Sequence, residues 1–294
     1  MKDVENWRKR CYSRVPADMY DQLKAFRESH PYKVITVGGR DWKYISSGES
    51  SDSLLLLTGA SVPAESNWKD ILRHEQRFRV VAPSYPPVRS VDDAIEGIRS
   101  VLEAEGIERV SIVGGSLGAG VGHSFIRRYP ERVQKLALIA FGLPDQSFVS
   151  AIKRTIRMCS LVPWWMLKRI VMSRGRESLS ALPEGEAAFT RAYFRDALKN
   201  DMDKRTLLGH FRIALDMALS ADVLRMTETV DGSGRVLIIQ ADDDDTITQE
   251  HRQALEKTYP GATAHLFETG GHLLDFCHGA EIADMIDRFL VEGK

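Results

Sequence analysis

The sequence predicts an α/β fold: a mostly parallel central sheet flanked by helices, with an inserted helical cap. Three observations predict it. Short apolar runs alternate with amphipathic stretches from Ser53 to Glu268, the pattern of strands buried on both faces and joined by helical crossovers. Residues 143–230 interrupt that alternation with helical patterns and no convincing strand, an interval too long for one crossover and short for an independent domain. The whole chain is 294 residues, enough for one large domain with an insertion. The resulting division is a helical lead-in over 1–31, a core over 32–142 and 231–294, and a helical cap insertion over 143–230.

The elements follow in order. Residues 1–31 are polar with scattered aromatics and read as a lead-in outside the core. "YKVITVGG" and "RDWKYISSG" are rich in β-branched and aromatic residues and meet at Gly38-Gly39, which predicts a hairpin. Strands are expected over 53–59, 77–83, 109–115, 133–142, 235–241 and 262–268. Between them, "SVDDAIEGIRSVLEAEG" has helical spacing, acids in its first turn and Gly106 as a stop. Within the insertion, Pro144, Pro163 and Pro183 punctuate the helices.

Composition narrows the partners. Forty basic and 41 acidic residues give a net charge of -1, so no global field draws the chain to nucleic acid or to an anionic membrane. A small-molecule substrate is the expected partner, and a homodimer is compatible with this reading. Cys11, Cys159 and Cys277 are odd in number, far apart and without C-x-x-C spacing, which supports neither a disulfide framework nor a zinc site. The opening "MKDVENWRKRC" lacks a signal peptide's apolar stretch. No run approaches the roughly 18 to 20 apolar residues of a membrane span. A cytoplasmic location is expected.

The stretch "VSIVGGSLGAG" carries the chemistry. As a dinucleotide fingerprint it fails because His123 stands where the third glycine belongs, and as a phosphate loop it fails because Val121 follows Gly120. Gly114-Gly115-Ser116-Leu117-Gly118 instead satisfies G-x-S-x-G, a strand-to-helix turn with serine at its apex. In an open parallel sheet, ligands bind beyond the carboxyl ends of the strands. Ser116 follows one predicted strand end, the run Asp242 to Asp245 another, and His272 a third. A serine needs a base within reach, and the base needs an acid that fixes its tautomer. The chain order Ser, Asp, His is the one found with nucleophile elbows.

With these pieces the chain resembles the α/β-hydrolase superfamily from Val34 to Phe289, on "LLLLTGA", "RFRVVAPSYP", "VSIVGGSLGAGVGHSFIRRYPERVQKLALIA", "VLIIQADDDD" and "ETGGHLLDF". "VPWWMLKRIV" and "YPGATAHLFETGG" are similar to its maspardin-like branch. The resemblance implies Ser116 as nucleophile and His272 as general base. It places the acid three residues after a glycine position held here by Ala241, which selects Asp244, with Asp243, Asp245 and Asp145 as alternatives. It also implies an oxyanion hole from the backbone N–H groups of Leu117 and Ala60, with Thr58-Gly59 where many relatives have His-Gly. No cofactor or metal is required.

Trp164 and Trp165 have three readings: cap packing, the lining of an apolar pocket over Ser116, or an exposed patch that meets a membrane surface or partner. His265 and His278 read as structural. The expected activity is a serine hydrolase cleaving a small to medium ester through a Ser116 acyl-enzyme. The alternatives are a noncatalytic maspardin-like binding protein and a triad hydrolase acting on thioester, amide or carbon–carbon bonds.

Overall fold

A computed structural model describes residues 2–174, 179, 182–225 and 229–291. The chain runs α1 (Lys2–Cys11), α2 (Ala17–Ser29), β1 (Lys33–Val37), β2 (Arg40–Ser47), β3 (Ser53–Leu57), α3 (Trp68–His74), β4 (Arg79–Pro83), α4 (Val91–Ala104), β5 (Val110–Gly115), α5 (Leu117–Arg128) and β6 (Val133–Ile139). It continues through α6 (Gln146–Leu161), α7 (Trp164–Arg174), α8 (Glu184–Asn200) and α9 (Lys204–Arg225). Then come β7 (Val236–Ala241), α10 (Gln249–Thr258), β8 (Thr263–Phe267), α11 (Leu274–Cys277) and α12 (Gly279–Val291).

The strands form one sheet in the order β1-β2-β4-β3-β5-β6-β7-β8. The β1/β2 and β2/β4 pairs are antiparallel, and the remaining pairs are parallel. Alternation along each strand divides the core. Leu55, Leu57, Ile112, Leu138 and Ile238 pack on one face with α4, α5 and α10, while Leu54, Leu56, Val113, Ile139 and Ile239 pack on the other with α2, α3 and α12. Burial on both sides explains why these strands read as continuous apolar runs.

β3 and β6 end at Leu57 and Ile139, short of the expected 59 and 142. The missing residues turn out of the sheet to build its functional edge: Ala140 has φ 49° and its N–H donates to the Ile239 carbonyl.

The lead-in departs from its expectation, because Tyr12, Leu23 and Phe26 are buried in the core cluster on the α3 face. Arg8, Tyr12 and Arg27 reach inward as well. Asp196 of α8, fully buried, accepts from Arg8 Nε at 3.0 Å, Arg27 Nη2 at 2.9 Å, Tyr12 Oη at 3.2 Å and Asn200 Nδ2 at 2.7 Å. Arg27 also grips Glu65, with contacts of 2.6 and 2.8 Å. A buried carboxylate demands such partners, so Arg8, Tyr12 and Arg27 turn inward while Asp3, Glu5, Lys9, Lys24 and Glu28 stay on the solvated side.

Among the described residues, the segment between β6 and β7 is helical. Phe189, Ala192 and Tyr193 of α8 join one face cluster, and Ile213 and Met217 of α9 join the other. α6 and α7 close a separate small cluster with α9 around Cys159, Leu167, Leu207 and Leu208.

Candidate active site

The site begins at the β5–α5 junction. Ser116 holds φ 50° and ψ -114°, a strained backbone for a residue with a side chain. Close packing imposes it. A Cβ on Gly118 would lie 2.2 Å from the Leu57 carbonyl oxygen, and one on Gly114 would lie 2.6 Å from the Gly118 carbonyl. Only glycine lets the first turn of α5 press against β3 and β5 so closely. The serine N–H donates to the Ile139 carbonyl at 2.9 Å, which pins the apex between β5 and β6.

His272 arrives on the loop after β8. Gly270 (φ 131°) and Gly271 (φ 57°) make the turn before it, and the His278 ring, stacked on Phe267 at 4.3 Å, donates to the Thr269 carbonyl at 2.9 Å. The imidazole Nε2 lies 2.8 Å from Ser116 Oγ, and Nδ1 lies 2.9 Å from Asp244 Oδ2. With Nδ1–H donating to the carboxylate, Nε2 is left to accept from the serine.

The four contiguous aspartates divide by partner. Asp244 is buried, and its Oδ1 accepts the Thr246 and Ile247 N–H groups at 2.8 and 2.9 Å. Asp243 instead accepts the Gly271 N–H at 2.7 Å and so steadies the histidine loop. Asp242 pairs with Arg252 at 2.5 Å, and Asp245 accepts from Thr246 Oγ1 at 3.1 Å. Asp145 caps α6 through the Phe148 N–H and meets His251 at 3.3 Å. Of the four aspartates offered from sequence as the acid, Asp145, Asp243, Asp244 and Asp245, Asp244 is the one hydrogen-bonded to His272.

The electrostatics of the pair agree. Burial opposes the imidazolium, but the hydrogen bond and charge of Asp244, with Asp275 and Asp245, raise the His272 pKa above its ordinary 6.5. Burial likewise opposes the carboxylate, but His272 and the Ile247 and Thr246 amides hold Asp244 below its ordinary 3.8.

The backbone donors lie at the same corner. Leu117 opens α5, and Gly59 approaches Ser116 so closely that a Cβ there would stand 3.8 Å from the serine Cβ. Among the described residues, the N–H groups of Leu117 and Ala60 have no backbone acceptor in the loops, whereas Ser61 N–H donates to His210 Nδ1 at 3.0 Å. His210, buried on α9, donates from Nε2 to the Tyr85 carbonyl at 3.3 Å, and burial pulls its pKa down to about 4. It is therefore a neutral ring with a fixed tautomer, tying α9 to the loop that carries Ala60.

A family model for the alpha/beta hydrolase fold matches residues 65–276. The chain belongs to this family. Among curated relatives, human maspardin is 24% identical over 263 residues, covering 87% of this chain and 82% of maspardin. A protein from Paraburkholderia phymatum named 2-hydroxy-6-oxononadienedioate/2-hydroxy-6-oxononatrienedioate hydrolase is 25% identical over 281 residues, covering 88% of this chain and 94% of its own. Among solved structures, a hydrolase from Pseudomonas aeruginosa superposes with a TM-score of 0.74 at 18% identity, covering 89% of this chain and 98% of that one.

In this α/β-hydrolase the tryptophan pair is split between packing and surface. Trp164 packs in the α6–α7–α9 cluster, and Trp165 is 56% exposed. Adjacent helical residues point about 100° apart, so one ring takes the packing and its neighbour takes the surface. Sequence reasoning did not single out His210 or Arg252. Arg252 is buried and donates to the carbonyls of Ala241 and Ile247, both at 3.2 Å, bracing the loop that carries Asp244. Neither has a local motif; each becomes legible only once the neighbouring carbonyls are placed.

Proposed function

We propose that this α/β-hydrolase is a cofactor-independent serine hydrolase of small to medium esters. The observation that carries the reading is the hydrogen-bonded row from Ser116 Oγ through His272 to Asp244. In the proposed reaction His272 Nε2 takes the Ser116 proton as Oγ attacks the ester carbonyl. The Leu117 and Ala60 N–H groups stabilise the oxyanion. Collapse of the tetrahedral intermediate expels the alcohol, protonated by His272, and leaves an acyl-enzyme. Water, deprotonated by the same imidazole, then releases the acid and restores the serine. Helices α6–α9 act as the cap that limits water and shapes selectivity. Location in the cytoplasm belongs to the same proposal.

The test is labelling with a fluorophosphonate, followed by a panel of esters of increasing acyl length. A covalent adduct mapped to Ser116 and turnover of at least one ester are expected. A folded protein that takes no label would instead favour a maspardin-like binding role. The relative from Paraburkholderia phymatum, named as a hydrolase of an oxo-dienedioate rather than of an ester, favours the carbon–carbon alternative drawn from the sequence as the second reading; labelling together with inertness toward every ester would support it.

His210 supplies a further expectation. His210→Ala removes the acceptor for Ser61 N–H and leaves the Tyr85 carbonyl unpaired, so the Ala60 donor shifts. Turnover should fall up to roughly 100-fold, the scale of a misplacement of about 1 Å, with KM changed much less. His210→Gln can still accept and donate, and should recover part of that loss. Equal rates for wild type and His210→Ala would remove this positioning role.

A further inference from the structure

We propose that the corner between α6 and α7 docks on the surface of an anionic lipid bilayer. Met158, Leu161, Trp165 and Met166 are 42%, 79%, 56% and 38% exposed. They fall within nine consecutive residues, the densest run of exposed large apolar side chains among the described residues. Their neighbours Cys159, Val162, Trp164 and Leu167 pack inward on Leu207 and Leu208 of α9, so the outward side chains ride on a braced wedge. The wedge is also closed at its backbone: Lys204 Nζ donates to the Ser160 and Val162 carbonyls at 2.7 and 2.9 Å. Carbonyls at a helix end that would otherwise require water are thereby satisfied, which suits burial at an interface.

Charge selects the occupant. Residues 146–174 contain Lys153, Arg154, Arg157, Lys168, Arg169 and Arg174 and no aspartate or glutamate, although the whole chain is balanced at -1. Lys153, Arg154, Arg157 and Arg169 are exposed, and none pairs with an acid among the described residues. Asp203, the acid at the start of α9, accepts the Thr206 N–H at 2.7 Å. Arg169 lies over the Trp165 ring at 5.5 Å, and Lys168 over Trp164 at 5.9 Å. An apolar tip ringed by cations, with tryptophan at its edge, matches the headgroup boundary of an anionic membrane. A second copy in a twofold contact would set this basic ring against itself. A nucleic acid would use the cations but leave Leu161 in water.

The proposal is independent of the chemistry at Ser116. Its test is flotation of the full chain with vesicles of phosphatidylcholine alone and with an equimolar mixture of phosphatidylcholine and phosphatidylserine. The bound fraction should be at least about tenfold higher on the mixed vesicles and fall at high salt. Leu161→Asp should reduce binding to both compositions, whereas Lys153→Glu/Arg157→Glu should abolish the preference for phosphatidylserine. Unchanged thermal unfolding of each variant establishes that it folds. Binding that ignores composition overturns the proposal, as does wild-type binding by either variant. A dimer that requires Leu161, with no flotation on either vesicle, would assign the face to a second copy instead.

Discussion

Ser116→Ala is expected to lower ester turnover by roughly 10⁴- to 10⁶-fold and to abolish fluorophosphonate labelling. The loss follows from geometry: Oγ is the atom within 2.8 Å of His272 Nε2, and alanine offers nothing for the imidazole to activate. Some rate above the uncatalysed reaction should survive, since the Leu117 and Ala60 amides still meet an oxyanion. The substitution removes only a hydroxyl from a partly exposed position, so the unfolding midpoint should move little. Near-native turnover by the purified variant would refute the acyl-enzyme mechanism at its first step.

Asp244→Asn is expected to lower turnover by roughly 10⁴-fold without unseating its own loop. An asparagine carbonyl can still accept the Thr246 and Ile247 N–H groups. What it loses is the acceptor for Nδ1–H, because an amide NH2 turned toward His272 favours the tautomer whose Nε2 carries the proton. The pH profile distinguishes this from general damage. His272 acts as a base only when neutral, so activity falls as pH drops through its pKa. Asp244 raises that pKa, which puts the acid limb of kcat/KM above the ordinary histidine value of 6.5. In Asp244→Asn both the ion pair and its hydrogen bond are gone, and the limb should move to lower pH. Asp243→Asn keeps the His272–Asp244 contact and should leave the limb near its native position. A limb that stays in place in Asp244→Asn would detach this carboxylate from the base.

The layers of this fold were legible because burial on both faces forces the central strands into unbroken apolar runs. β3, "SLLLL", is buried throughout, and no other local structure suits so short a run bounded by Thr58-Gly59 on one side. The elbow was legible for a different reason: its close packing admits only glycine at 114 and 118, which leaves a fixed mark around Ser116. Less local facts were hidden. Nothing in "DDDD" distinguishes neighbours; their roles depend on which carboxylate the loop after β7 turns inward, and Arg252 helps set that turn from ten residues away. The lead-in misled because Arg8, Tyr12 and Arg27 find their partner in Asp196, at least 169 residues onward. Trp164 and Trp165 look alike in sequence, and only the packing of α7 on α9 separates them.

The left-handed backbone at Ser116 has an energetic corollary. A residue bearing a Cβ occupies such a conformation at a cost of about 1–3 kcal/mol, a penalty that glycine would escape. By that reckoning the most durable form of this polypeptide is an inert one, with hydrogen in place of the hydroxymethyl group. Reactivity and resilience thus pull in opposite directions at a single α-carbon, and screening for heat resistance alone would drift toward molecules that no longer react.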